Sequence, residues 1–269
     1  MTNARSIDRR TFLADLGHGV VALAIVSIAG CSPSVVASLA PTPGATGPGP
    51  SDGGPSTGAA GPSPAGSSPG SDGVGDVGWE RVNLGSVSAY ILVRGAEAAL
   101  IDTGVAGSEG AIEASLAALG LDWSAVGHVV ITHSHGDHAG SRIAVMERAT
   151  NAAAYAGAAD IASMGGIALA AVGDGDTVFD LEIITTPGHT PGSISVLDPT
   201  AGILVAGDAL GTANGNPSLP NAQFTDDMDE AKRSIVKLGG LTFETLLVGH
   251  GDPIETGASS LVAGLAVRA

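Results

Sequence analysis

The chain has 269 residues, with 27 acidic against 11 basic side chains and a formal charge of −16. A charge of that sign repels polyanions, which argues against a nucleic-acid partner. A single cysteine rules out an internal disulfide framework, and with aromatics at 3% the core must rest on Val, Ile, Leu and Ala.

In chain order the first feature is a leader. Arg9-Arg10-Thr11-Phe12-Leu13 precedes an apolar run from Val20 to Ala29, followed by Gly30-Cys31. The run falls short of the roughly 20 apolar residues that a spanning helix needs. The segment resembles a bacterial twin-arginine signal, with Asp8 where that pattern prefers Ser or Thr, and Ile28-Ala29-Gly30-Cys31 resembles a lipobox. The resemblance implies that residues 1–31 are a signal peptide ending at the lipobox cysteine, that Cys31 is lipidated, and that the protein is exported and lipid-anchored at the bacterial cell membrane. Residues 32–78 are almost wholly Gly, Pro, Ala, Ser and Thr, and hold nine of the fifteen prolines. Such a stretch has too little apolar side chain to offset its ordering entropy, so a disordered tether with a reach of roughly 40 Å is expected.

The stretch from Trp79 to Ala269 is long enough for one buried core. Val82–Leu84, Ala89–Val93 and Ala98–Ile101 read as a meander of short strands. Ser108 is placed to cap a helix running to Leu119, with Gly120 as its stop. Val129–Ile131, Ala152–Tyr155, Thr177–Thr185, Ile194–Leu197 and Ile203–Ala206 read as further strands. Helices are predicted over Ala139–Arg148, Ala158–Met164, Asp227–Leu238 and Ser259–Val267, the third with an inward stripe of Ala231, Ile235 and Leu238. His128 and Tyr155 read as packed residues. In the long polar segment from Ala209 to Asp226, Asn214, Asn216, Asn221 and Phe224 are candidates for a pocket wall.

The chemistry is concentrated at strand ends. His133-Ser134-His135-Gly136-Asp137-His138 follows the apolar Val129-Val130-Ile131 and holds three of the seven histidines. His189 stands in Thr186-Pro187-Gly188-His189-Thr190-Pro191-Gly192, Asp208 ends Leu204-Val205-Ala206-Gly207-Asp208, and His250 ends Leu246-Leu247-Val248-Gly249-His250. Imidazole and carboxylate are ligands for zinc and related divalent ions. Seven donors exceed what one tetrahedral zinc takes, so two divalent ions are expected, zinc first among them, with iron or manganese compatible with the same donors.

These motifs, with the earlier Leu100-Ile101-Asp102-Thr103-Gly104, resemble those of the metallo-β-lactamase superfamily in their order along the chain. The resemblance implies an α/β fold, a four-layer αββα sandwich, over residues 79–269. It implies that His133, His135 and His189 hold one metal, that Asp137, His138 and His250 hold a second, and that Asp208 bridges them. Asp137, His138 and Asp208 would then serve catalysis, Asp102 would orient a ligand histidine, and Thr190 would support the site from behind or simply shape its turn. An Asp rather than Cys or Ser at the bridging position is similar to the glyoxalase II, lactonase and general hydrolase branches. The implied activity is hydrolysis of an ester, lactone, thioester or amide of a small molecule by a metal-bound hydroxide. Other readings stay open: a single-iron oxidoreductase similar to persulfide dioxygenases, β-lactamase activity, and a lipoprotein that binds metal without turnover. The loop after Asp208 holds no Lys or Arg before Lys232, so a cationic anchor for a carboxylated substrate is hard to find there.

Overall fold

The computed structural model of the protein describes residues 78–269; the leader, Cys31 and the tether lie outside the described residues. The chain opens with β1 (Gly78–Asn83), β2 (Ser88–Arg94) and β3 (Glu97–Ile101), an antiparallel meander. Helix α1 (Glu109–Ala118) then leads to β4 (Val126–Ile131), and α2 (Arg142–Arg148) leads to β5 (Ala153–Gly157) and on to β6 (Ala170–Val172). From β3 to β6 the strands are parallel, completing a six-stranded sheet in sequence order. The second sheet comprises β7 (Thr177–Val178), β8 (Leu181–Thr185), β9 (Ile194–Asp198), β10 (Ile203–Val205) and, after an insertion, β13 (Thr245–Leu247), in the order β13-β10-β9-β8-β7. The insertion holds a hairpin, β11 (Gly211–Ala213) and β12 (Asn216–Ser218), and α3 (Met228–Leu238); α4 (Ala258–Ala266) closes the chain.

Side chains alternate across each strand, so a strand buried on both faces feeds two apolar layers. Ala89, Ile91, Leu100, Val129 and Ile131 face outward onto Ile112, Leu116 and Val145 of α1 and α2. Their neighbours Tyr90, Leu92, Ile101 and Val130 face inward onto Ile183, Val196, Val205 and Leu247 of the second sheet. On the far side Ile184, Leu197, Leu204 and Leu246 pack on Ile235 and Leu238 of α3 and Val262 and Leu265 of α4. Helix, sheet, sheet, helix is the predicted αββα sandwich. Aromatics are few, yet Tyr90 and Tyr155 are fully buried in the layer between the sheets. The Tyr90 hydroxyl donates to the Val248 carbonyl at 2.8 Å, so one sheet grips the end of a strand in the other.

Several elements depart from the sequence expectation. Thr177–Thr185 is two strands, because Phe179 and Asp180 both adopt positive φ (53° and 57°) and turn the chain back in a tight hairpin. Helix α2 starts at Arg142, since Ala139 and Gly140 bridge to Gly104. Ala158–Met164 forms only a 3-10 turn at Ile161–Ser163, next to an Asp160 carboxylate committed to other loops. Ser108 precedes α1 but makes no side-chain cap; its amide instead donates to Ser141 Oγ. In α3 Asp227 does cap, accepting from the Glu230 amide, and Ala231, Ser234, Ile235 and Leu238 form the buried stripe. Strand β6 and the β11–β12 hairpin are additions to the strands expected of the sequence.

Candidate metal centre

Strands β4, β8, β10 and β13 aim their carboxyl ends at one edge of the sandwich. Beyond β4 the chain enters the His133–His138 turn, which closes on itself through the His138 and Ala139 amides donating to the His135 carbonyl. Beyond β8 comes His189, beyond β10 Asp208, and beyond β13 His250. The two sheets are stitched here by Ser88 N–H to the Gly249 carbonyl and Ile194 N–H to the Thr132 carbonyl. Glycine is required where the strand ends meet: a Cβ on Gly249 would lie 2.2 Å from Asp208 Oδ1 and 2.4 Å from His138 Cε1.

All seven sequence-predicted donors converge. Their ligand atoms form three overlapping groups with each group's atoms within 4.8 Å of one another: His133, His135 and His189; His133, His138 and Asp208; Asp137, His138 and His250. Asp208 stands between the others, with Oδ1 3.2 Å from His138 Nε2 and Oδ2 3.3 Å from both His189 Nε2 and His250 Nε2. His250 Nε2 is also 3.2 Å from Asp137 Oδ2.

The outer ring nitrogens decide what the inner ones can do. Asp102 Oδ2 faces His138 Nδ1 at 2.8 Å. The Thr132 hydroxyl donates to that same Oδ2, so toward His133 Nδ1, 3.1 Å away, it can only accept. The Thr225 hydroxyl donates to the Asn221 carbonyl and likewise accepts from His189 Nδ1 at 3.2 Å. His250 Nδ1 meets the Ser86 carbonyl at 2.6 Å. Four imidazoles thus have Nδ1 engaged as a donor, which leaves Nε2 to face the cluster. His133 Nε2, His138 Nε2 and Asp208 Oδ1 are buried with no hydrogen-bond partner. Buried polar atoms without partners are costly, and converging lone pairs are what a cation satisfies; the residues present fit divalent metal.

Electrostatics agree. Burial pushes the His133 imidazole well below its ordinary value, and His189 is lowered by burial too. Burial also opposes charge on His138, but the ion pair and hydrogen bond with Asp102 prevail and hold it up to about 10. His250 is raised by its contact with Asp208. Burial works against charge on Asp208, yet its contacts with His138 and His250 keep its carboxyl well below the usual carboxylate range. Asp208 thus stays ionised in the middle of the cluster, a negative charge that favours a cation beside it.

Asp102 stands behind His138, with Oδ2 2.8 Å from its Nδ1. Thr190 does not touch a donor: its hydroxyl donates to Asp160, whose carboxylate also accepts from the Ser134 and Gly192 amides, so it braces two ligand loops from behind. Asn221 and Phe224 line the cleft above the donors, whereas Asn214 and Gly215, both at positive φ, form the turn of the β11–β12 hairpin and Asn216 opens β12 opposite Ala213. His128 and Tyr155 are buried, and their rings stack at 6.0 Å. Thr132, Thr225 and the Ser86 carbonyl were not anticipated, and only their contacts reveal them.

A sequence model of the metallo-beta-lactamase superfamily matches residues 82–250. The probable metallo-hydrolase YflN of Bacillus subtilis is 44% identical over 82 residues, which span 26% of this chain and 31% of YflN. The uncharacterized protein YobT of the same organism is 30% identical over 196 residues, covering 61% of this chain and 83% of YobT. A crystal structure of a metallo-beta-lactamase family protein from Thermus thermophilus superposes with a TM-score of 0.57 at 22% identity, covering 68% of this chain and 74% of that one. That likeness is one of fold.

Proposed function

The chain belongs to the metallo-beta-lactamase superfamily, and on that footing we propose that it is a dinuclear metal-dependent hydrolase of a small-molecule ester, lactone, thioester or amide, resembling the glyoxalase II and lactonase branches. The observation that carries the reading is Asp208, a single carboxylate with Oδ1 3.2 Å from His138 Nε2 and Oδ2 3.3 Å from both His189 Nε2 and His250 Nε2. His133, His135 and His189 would hold one ion, Asp137, His138 and His250 the second, and Asp208 both. Two divalent ions, zinc or alternatively iron or manganese, supply a water of lowered pKa and a Lewis acid for the scissile carbonyl.

The protein's own groups do the rest. Asp102 and Thr132 hold the rings of His138 and His133 in orientation. Asp137 lines the cleft and is partly exposed, so its carboxylate can take the proton that water gives up and return it to the leaving group. In that reaction the water oxygen bonds to the carbonyl carbon as the bond to the alcohol, thiol or amine breaks. Export through Arg9 and Arg10 and anchoring through Cys31 complete the reading and rest on the leader motifs; among the described residues no helix is long and apolar enough to cross a membrane.

Elemental analysis of protein purified without added metal, combined with a chelator-controlled panel of aryl esters, thioesters, lactones and a cephalosporin, tests this. Two ions per chain and chelator-sensitive turnover are expected. Asp208→Ala should cut kcat by roughly a hundredfold or more while the domain stays folded, since the shared ligand is gone. One iron per chain with Asp137, His138 and His250 dispensable would replace the hydrolase with a mononuclear oxidoreductase.

A further inference from the structure

The cleft above the donors has a volume of about 650 Å³, and its wall is unlike its floor. The floor is His135, Asp137, His189, Asp208 and His250; the wall carries Leu210, Leu219, Pro220 and Phe224, with Thr212, Ser218 and Asn221 among them. Among the described residues no lysine or arginine lines it. We propose that the protein selects substrates that are uncharged outside the scissile acyl group, and seats a short apolar substituent on Leu219, Pro220 and Phe224. The inference rests on the hydrolase reading and adds to it the substrate's charge and the face that reads it.

Three observations converge. A carboxylate seated against Leu219, Pro220 and Phe224 would shed water with no lysine or arginine beside it among the described residues, which is costly. The one place it could settle is the donor cluster, where it would compete with the scissile carbonyl instead of positioning it. The cation that reaches the rim, Arg81, is already engaged: it donates to the Gly251 carbonyl at 2.8 Å and Ser88 Oγ at 2.9 Å, and pairs with Asp252 Oδ1 at 3.2 Å. The wall, finally, is a fixed platform. Phe224 ends a 3-10 turn capped by Asn221 Oδ1, and the Asp226 and Asp227 amides donate to the His189 and Gly188 carbonyls. A large aromatic ring is therefore held 57% exposed on the loop that carries a metal donor. An apolar substituent gains most from covering such a ring.

The test pairs para-nitrophenyl butyrate with the para-nitrophenyl monoester of succinic acid, which replaces the terminal methyl by a carboxylate, on the metal-loaded full chain with uncatalysed hydrolysis subtracted. The butyrate should lead in kcat/KM by roughly tenfold or more, and the lead should survive about 1 M salt, which screens the overall charge but not a local one. Leu219→Arg should narrow the gap by accelerating the anionic ester, and Phe224→Ala should raise KM for the butyrate more than it lowers kcat. Equal kcat/KM for the two esters overturns the proposal, and so does a gap that vanishes in salt. Calorimetric titration with propyl trifluoromethyl ketone and its carboxyl-terminated analogue separates binding from turnover. Preference for the neutral ketone without ester turnover keeps the selectivity and removes the hydrolase; equal binding with ester turnover does the reverse.

Discussion

His189 reaches the cluster with Nε2 while its Nδ1 rests on Thr225 Oγ1, a hydroxyl whose own proton is given to the Asn221 carbonyl. Thr225→Val keeps the shape and removes the acceptor, so His189 loses the contact that sets its tautomer. Metal affinity measured by chelator competition should fall roughly tenfold or more, and Thr225→Ser should restore it. An unchanged affinity in the valine variant would reduce Thr225 to ordinary loop chemistry. The donors themselves were legible because imidazoles and carboxylates announce their chemistry wherever they stand. Thr132, Thr225 and the Ser86 carbonyl were not, because hydroxyls and backbone carbonyls occur everywhere and acquire meaning only through a contact with a distant residue.

At the scale of elements, the ends of β10 and β13 run parallel and deliver Asp208 and His250 side by side. Gly249 is the point where they fit. Gly249→Ala would drive a methyl into Asp208 and His138, and the expected outcome is a folded domain, by circular dichroism, that retains less than about a tenth of the bound metal. Full metal content in that variant would show that the strand ends can separate at little cost. Strand-end placement of the donors was readable, since each follows an apolar run and sits among glycines. The β11–β12 hairpin is also readable from Asn214-Gly215, a pair that favours the turn with two positive φ values. Its position just after a metal donor points instead to a pocket wall, and there the hairpin signal is easily passed over. The break at Phe179-Asp180 has no such cue: neither residue is glycine, and the apolar pattern runs on through Ile184.

On the scale of the whole molecule, protons and metal compete. In metal-free protein His138, raised from 6.5 to about 10, adds stability that is complete below pH 6.5 and is lost as the pH rises toward about 10. His133, held well below 6.5, acts in the opposite sense: its contribution is intact above pH 6.5 and is lost as the pH falls. Chelator-stripped protein should therefore melt highest near pH 6.5 by the values of these two groups, and added zinc should flatten the alkaline limb by standing where the His138 proton stood. An alkaline limb indifferent to zinc would contradict this account. At the other end of the chain, Arg9→Lys with Arg10→Lys should retain the protein inside the cell, and Cys31→Ala should free it from the membrane fraction; a Cys31→Ala protein that still pellets would refute the lipid anchor. The donors have one more consequence. They come from both sheets, from His133 beyond β4 to His250 beyond β13, so a bound ion closes the chain on itself as a covalent cross-link would. In a disulfide, closing a loop of roughly a hundred residues is worth on the order of 4–5 kcal/mol through the unfolded chain. In a chain whose lone cysteine can form no such bond within itself, a bound ion would act as a reversible clasp in its place, and the rate at which the loaded protein unfolds should follow the rate at which it releases metal.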